Sequence, residues 1–148
     1  MLDHCPKEMS ETQGETAAML EIRDVVFDCR HAASLARFWA QALDGYAVAA
    51  YDDEELARLR ALGIDDPEDD PSVLVEGPVG KARLWFQAVP EPRTVKNRVH
   101  LDLVTVTPDA EVQRLLDLGA TRFEPPSPRQ GLVVLCDPEG NEFCVTWD

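Results

Sequence analysis

Hydrophobic and polar residues alternate in two separate stretches of the chain, and each stretch opens a similar series of predicted elements. Residues 20–29 alternate and are rich in β-branched side chains, which is typical of a strand. Residues 32–43 place apolar side chains at helical spacing, and Gly45 follows them. Three further strands are predicted over residues 46–51, 72–76 and 82–89. The first half therefore predicts a strand, a helix and three strands.

The second half repeats this order of elements. Residues 98–105 alternate as a strand, and residues 109–118 form a predicted helix that ends at Gly119. Short strands are predicted over residues 121–124, 130–136 and 141–147. The pattern predicts an α+β fold of two βαβββ halves, over about residues 20–90 and 96–148, within one domain over residues 20–148. Residues 1–19 lack periodicity and are predicted to be a flexible tail.

An acidic segment, residues 51–71, separates two strands of the first half. It holds nine acidic residues against Arg58 and Arg60, and so carries half of the net charge of −14. A short helix is predicted over residues 54–62, with Leu56, Leu59 and Leu62 on one side, followed by a loop. A run of like charge is most often a solvated face, and the competing interpretation is a contact surface for a partner.

Composition narrows the class of protein. The chain has 148 residues, of which 45% are hydrophobic, as in an ordinary globular domain. Its negative charge disfavours nucleic acid and anionic membranes as partners. No secretory signal or membrane-length apolar run is present, and the four cysteines lack close metal-ligand spacing. These features predict a reduced, cytoplasmic protein.

Alternation sorts the residues of each strand onto two faces. One face of each main strand is apolar and suits the helices. The other face, here called the mixed face, combines ionisable groups with apolar and aromatic ones; it comprises Asp24, Val26 and Asp28, then Arg83, Trp85 and Gln87, then His100, Asp102 and Val104, and finally Glu142, Cys144 and Thr146. On curved sheets such faces would line a ligand pocket, whereas on flat sheets they would simply meet solvent.

Several motifs carry a resemblance to a known family. They are residues 27–39 with 43–46 at the end of the helix, 96–103, 118–120, and the Asp-Pro-Glu-Gly-Asn-Glu-Phe sequence of 137–143. In this order they resemble the glyoxalase-like branch of the vicinal oxygen chelate superfamily, which also holds bleomycin-resistance proteins and extradiol dioxygenases. The resemblance implies paired βαβββ modules whose sheets curve around a cleft, with helices on the outer faces.

The resemblance also implies where a metal would bind. Catalytic members hold a divalent ion, such as zinc, nickel, iron or manganese, through His and Glu side chains on inward-facing strand positions. By position these ligands fall on Asp24, His100 and Cys144, with a further position near Trp85 or Gln87. Cys144 stands where the family has Glu, so the ligand set is broken and no metal is favoured.

The leading hypothesis is therefore a protein that binds a small organic molecule in its cleft. The expected ligand-binding residues are those of the mixed faces, namely Asp24, Asp28, Arg83, Trp85, Gln87, His100, Asp102, Glu142 and Cys144. One alternative is a metal-dependent lyase, isomerase or dioxygenase-type enzyme in which His100 is catalytic. Another is a non-catalytic interaction module that uses the acidic segment. Since homodimers are common among relatives, a homodimer is a candidate assembly.

Each candidate residue also has a purely structural interpretation. His100 suits a general base or a hydrogen-bonding anchor, yet Asp102 would equally satisfy it. Trp85 would stack on a planar ligand or fill one end of the cleft. Arg83 or Arg98 would pair with a ligand carboxylate or phosphate, unless Asp24 and Asp28 pair with the arginines internally.

Overall fold

The computed structural model describes residues 20–127 and 129–147, so the predicted N-terminal tail lies outside the described residues. The elements of the first half are β1 (Asp24–Cys29), α1 (Ala32–Ala42), β2 (Ala47–Val48), α2 (Asp53–Ala61), a short 3₁₀ helix (Pro67–Asp69), β3 (Ser72–Glu76) and β4 (Arg83–Ala88). Those of the second half are β5 (Asp102–Val104), α3 (Pro108–Asp117), β6 (Thr121–Phe123), β7 (Leu132–Cys136) and β8 (Glu142–Thr146).

Each half forms a four-stranded sheet with the same topology. The strand orders are β1-β4-β3-β2 and β5-β8-β7-β6. In both sheets the first strand runs parallel to the last, and the other pairs are antiparallel. The prediction of an α+β fold of two βαβββ modules is confirmed. Within the described residues, no helix is both long enough and apolar enough to cross a membrane.

Every strand except β3 is shorter than predicted, and β1 begins at Asp24 rather than at residue 20. β2 has only two residues, and β5 begins at Asp102 rather than at residue 98. Ahead of β5, Leu101 accepts one backbone hydrogen bond from Cys144, at 2.8 Å. Before that point Asn97 bonds to the side chains of Asn141 and Glu142, and these bonds replace a backbone ladder.

One hydrophobic core joins the two halves. Trp39 on α1 is 1% exposed, and its ring centroid lies 5.4 Å from that of Phe27 and 5.1 Å from that of Phe143 in the second half. The apolar faces predicted by alternation point into this core, where Cys29, Leu84, Phe86, Phe143 and Val145 are buried. Trp39 therefore packs against both sheets.

The second half also holds both ends of α1. At its N-terminus, the Glu139 carboxylate accepts the backbone N–H groups of Arg30 and His31 at 2.7 and 2.8 Å. At its C-terminus, the Arg114 guanidinium donates to the carbonyls of Gln41 and Ala42 at 2.8 and 2.9 Å. A negative group at the start and a positive group at the end both complement the helix dipole. These bonds fix the two halves relative to each other.

Internal ion pairs order the acidic segment. Asp52 caps α2 by accepting the backbone N–H of Glu55 at 2.9 Å. Arg58 donates to Glu55 and to the buried Asp70, and Arg37 on α1 donates to Glu68. Leu59 is buried as expected, but Leu62 is 59% exposed because α2 ends at Ala61 and the chain turns away.

Candidate functional site

A cleft of about 840 Å³ lies between the two halves. One wall is β1 with Arg30 and with Trp39 of α1. The other is the connection between the halves, residues 89–101, together with the turn and first residues that lead into β8. The cleft thus lies at the junction that the packing of Trp39 creates, and its volume suits a small organic ligand.

Glu142, the first residue of β8, binds the connection between the halves to the second sheet. Its carboxylate is paired with the Arg93 guanidinium, and it accepts the Asn97 backbone N–H at 3.2 Å. Asn97 also accepts from Arg93 at 2.7 Å and donates to the Asn141 side chain at 2.8 Å. Burial alone would raise the pKa of Glu142, but hydrogen bonds from its own backbone, Arg93 and Asn97 lower it below the ordinary value. Glu142 lines the cleft as an ionised, already paired group.

Three metal-ligand side chains meet in the second half. His100, Asp102 and Cys144 place one ligand atom each within 4.8 Å of one another. Asp102 and Cys144 are register neighbours on β5 and β8, and His100 Nε2 lies 3.3 Å from Asp102 Oδ1. Cys144 is 8% exposed, and burial, followed by Asp102, raises the pKa of its thiol. The thiol is therefore protonated at neutral pH.

Asp24 lies apart from this cluster. Arg83 binds it in a bidentate pair, with Nε to Oδ1 at 2.7 Å and Nη2 to Oδ2 at 3.0 Å. The hydrogen bond from Arg83 lowers the pKa of Asp24, so the pair stays ionised. The sequence left open whether Arg83 pairs with a ligand or with an internal aspartate, and in the structure it pairs with Asp24.

The other candidates of the first sheet are split between two places. Asp28 is exposed and lines the cleft. Trp85 lies in a row with Val26 and Leu74 on the mixed face and lines a separate pocket of about 410 Å³ under α2. Gln87 is exposed beside Asp28 in the register. The mixed face of the first sheet is therefore not one continuous wall of the main cleft.

Sequence reasoning missed the residues that assemble the cleft. Asp137, 2% exposed, accepts the Trp39 indole N–H at 3.1 Å and the backbone N–H of Asn141 at 3.0 Å. Glu139 and Arg93 make the contacts described above. Asp137 and Glu139 stand in the motif at 137–143, where the sequence showed only a turn. The 137–143 motif was the sequence feature that could have indicated these two carboxylates.

Comparison with known proteins identifies the fold family. The model of a family described as "Glyoxalase-like domain" matches residues 24–146. Comparison with curated proteins finds no match. Among solved structures, a glyoxalase/bleomycin resistance protein/dioxygenase family enzyme from Burkholderia phytofirmans PsJN is 19% identical, with a TM-score of 0.58 over 86% of this chain and 98% of that one.

Two other solved structures have the same fold. The fosfomycin resistance protein FosX from Mesorhizobium loti is 14% identical, with a TM-score of 0.57 over 87% of this chain and 92% of that one. A possible glyoxalase from Bacillus cereus is 14% identical, with a TM-score of 0.58 over 86% and 99%. At these identities the likeness concerns the fold alone. With the family match over almost all the described residues, the chain belongs to the glyoxalase-like domain family of the vicinal oxygen chelate superfamily.

Proposed function

We propose that this protein binds a small organic molecule in the cleft between its two halves, without the full metal-ligand set of its superfamily. The observation that carries the proposal is the cleft of about 840 Å³, whose wall combines apolar side chains such as Val26 and Phe27 with charged ones. Apolar surface supplies most of the binding energy for such ligands, and a few polar groups orient them.

Two features favour a metal-free site. Arg83 occupies both oxygens of Asp24, the residue at the first ligand position of the superfamily. Cys144, at the closing position, is a protonated thiol in place of a carboxylate. A metal would have to break the first pair or deprotonate the second group, and both changes cost free energy.

The test is a thermal-shift screen of the full chain against small organic molecules in the presence of EDTA, repeated without EDTA and with added metal. We expect at least one compound to raise the Tm, since a ligand at a hundred times its Kd stabilises by about 2.7 kcal/mol. Val26→Trp, which fills the cleft from β1, should abolish the shift. Val79→Trp, on an exposed turn outside the cleft, is the matched control. Stabilisation that vanishes with EDTA and returns with a metal would contradict the proposal.

A second candidate is a metal-dependent enzyme centred on His100. It is favoured by the compact group of His100, Asp102 and Cys144. Imidazole, carboxylate and thiolate are all zinc ligands, and three of them leave a position open for substrate. The second-half residues therefore fit a zinc ion, while Asp24 does not join them. A bound metal would supply Lewis-acid chemistry.

Elemental analysis of protein purified without a metal-affinity step separates the two candidates. The second candidate requires about one metal ion per chain, with loss in His100→Ala and Cys144→Ser. Cys136→Ser is the matched control, because Cys136 lies outside the group. Substoichiometric zinc, nickel, iron and manganese in wild type would reject the second candidate and leave the first standing.

A further inference from the structure

We infer that the ligand of the cleft is an organic anion, a carboxylate or phosphate on an apolar body, and that Lys96 and Arg98 bind its charge. This inference rests on the proposed function, because it names the ligand class of the same cleft. It starts from the distribution of charge along the connection.

The connection is basic in an otherwise acidic protein. Residues 93–100 hold Arg93, Lys96, Arg98 and His100 and no carboxylate. The whole chain has 28 acidic residues against 14 lysines and arginines. On the cleft wall, basic and acidic residues are equal in number. The basic residues are Arg30, Arg93, Lys96 and Arg98, and the acidic residues are Asp28, Glu91, Glu139 and Glu142. The cleft wall is therefore richer in cations, relative to carboxylates, than the chain as a whole.

Internal bonds occupy Glu139, Glu142 and Arg93, which leaves the cations Arg30, Lys96 and Arg98 and the carboxylates Asp28 and Glu91 of the wall available to a ligand. Glu139 is bound to the start of α1, and Glu142 to Arg93 and Asn97. Among the described residues, Lys96 and Arg98 form no ion pair or side-chain hydrogen bond. A charged hydrogen bond to a carboxylate or phosphate is the contact these side chains can still make. Concave walls also focus the field of such charges.

Exposed valines flank these cations and define the rest of the ligand. Val95 is 71% exposed and Val99 is 75% exposed, and both line the cleft. Val26, which is 54% exposed, faces the cleft from β1. Burying this apolar surface against a ligand would favour binding. An inorganic anion cannot use it, so the complementary ligand carries both a negative group and an apolar body.

The experiment uses a matched pair of fluorescent probes. Anilinonaphthalene sulfonate is an organic anion, and phenylnaphthylamine is its neutral counterpart without the sulfonate. We expect wild type to bind the anionic probe more tightly, and the double variant Lys96→Gln/Arg98→Gln to weaken it about tenfold. The matched control, Lys81→Gln/Arg122→Gln, removes two exposed cations outside the cleft and should change nothing. Asp28→Asn removes an unpaired carboxylate from the wall and should tighten the anionic probe.

Displacement of the probe then identifies the anionic group. Octanoate, octyl phosphate and octanol share an apolar chain, so displacement by the first or second but not by octanol supports the inference and assigns carboxylate or phosphate. Equal binding of both probes, unchanged in the double variant, would overturn the inference while leaving a neutral-ligand cleft in place. If neither probe nor any screened compound binds, both the inference and the proposed function fail.

Light scattering tests whether a second copy of this chain, rather than a small ligand, binds the basic connection. The acidic segment of a second copy is also complementary in charge. If the double variant lowers self-association and leaves probe binding unchanged, the connection contacts protein rather than a ligand, and the inference is overturned.

Discussion

The buried carboxylate of Asp137 is predicted to stabilise both the turn that leads into β8 and the contact of that turn with Trp39 in the first half. It is 2% exposed and accepts from Trp39 Nε1 at 3.1 Å, from the backbone N–H groups of Glu139 and Asn141 at 2.9 and 3.0 Å, and from Asn141 Nδ2 at 2.8 Å. Asp137→Ala removes the acceptor for all four donors. Trp39 is itself 1% exposed, so its indole N–H would have no water to replace the carboxylate.

The expected cost follows from these donors. A buried donor left without a partner costs about 1–3 kcal/mol, and the Glu139 N–H can recover part of its loss from solvent. Asp137→Ala should therefore lower the free energy of unfolding by about 3–5 kcal/mol, a large share of a typical domain's stability. Asp137→Asn keeps one oxygen but turns an amide toward the Trp39 and Asn141 donors, and should cost about 1–3 kcal/mol.

A double-mutant cycle with Trp39→Phe isolates the contact between the halves. The indole N–H is absent from that variant, so Asp137→Asn should cost about 1–2 kcal/mol less in its background. Urea unfolding followed by far-ultraviolet circular dichroism gives the four free energies without relying on the Trp39 fluorescence. Asp44→Ala, an exposed carboxylate after α1, is the control. A cost of Asp137→Ala as small as that control, or additive single variants, would refute the reasoning.

Three further predictions follow from other groups. Desolvation raises the pKa of the described thiols of Cys29 (to about 12), Cys136 and Cys144. Because only the thiolate is nucleophilic, iodoacetamide at pH near 7 should alkylate these three cysteines slowly. Rapid alkylation of any of them, seen by peptide mass spectrometry, would contradict this. Because the pKa of Glu142 is lower in the folded state than its unfolded value of about 4.3, its ionised form stabilises the fold above that pH, and this contribution is lost as the pH falls. The difference in free energy of unfolding between wild type and Glu142→Gln should therefore shrink between about pH 6 and pH 3. A constant difference in urea unfolding would disprove the coupling. Arg114→Gln should cost about 1 kcal/mol in the same assay by freeing two α1 carbonyls, and no cost would show that solvent replaces it.

The elements that could be predicted from sequence are those fixed by local pattern. α1 was predicted to within one residue because Leu35, Phe38 and Trp39 recur at helical spacing and are buried together. β3 was predicted with its observed bounds because its alternation is interrupted at both ends by Pro71 and Gly77. The sorting of strand faces also gave the pairs Asp24–Arg83 and His100–Asp102 as structural interpretations, since each pair lies on one face.

The contacts that shape the cleft were beyond that reasoning because they join distant parts of the chain. Arg93 and Glu142 are 49 residues apart, and Trp39 and Asp137 are 98 apart. No periodicity within either segment encodes such a pair. The extent of β5 was wrong for the same reason: residues 98–101 alternate as a strand should, but Asn97 is held by side chains of the second sheet.

The two halves share a topology but contribute unequal chemistry to the cleft. In the first half, Arg83 neutralises Asp24, and β1 presents apolar Val26 with only Asp28 unpaired. The second half and the connection supply His100, Lys96 and Arg98. A ligand between them would therefore meet apolar Val26 on one side and the unpaired cations Lys96 and Arg98 on the other. The first side favours burial of apolar surface, and the second favours hydrogen bonds to a negative group. A purely polar ion and a purely apolar molecule would therefore each leave one side of the cleft without a favourable contact.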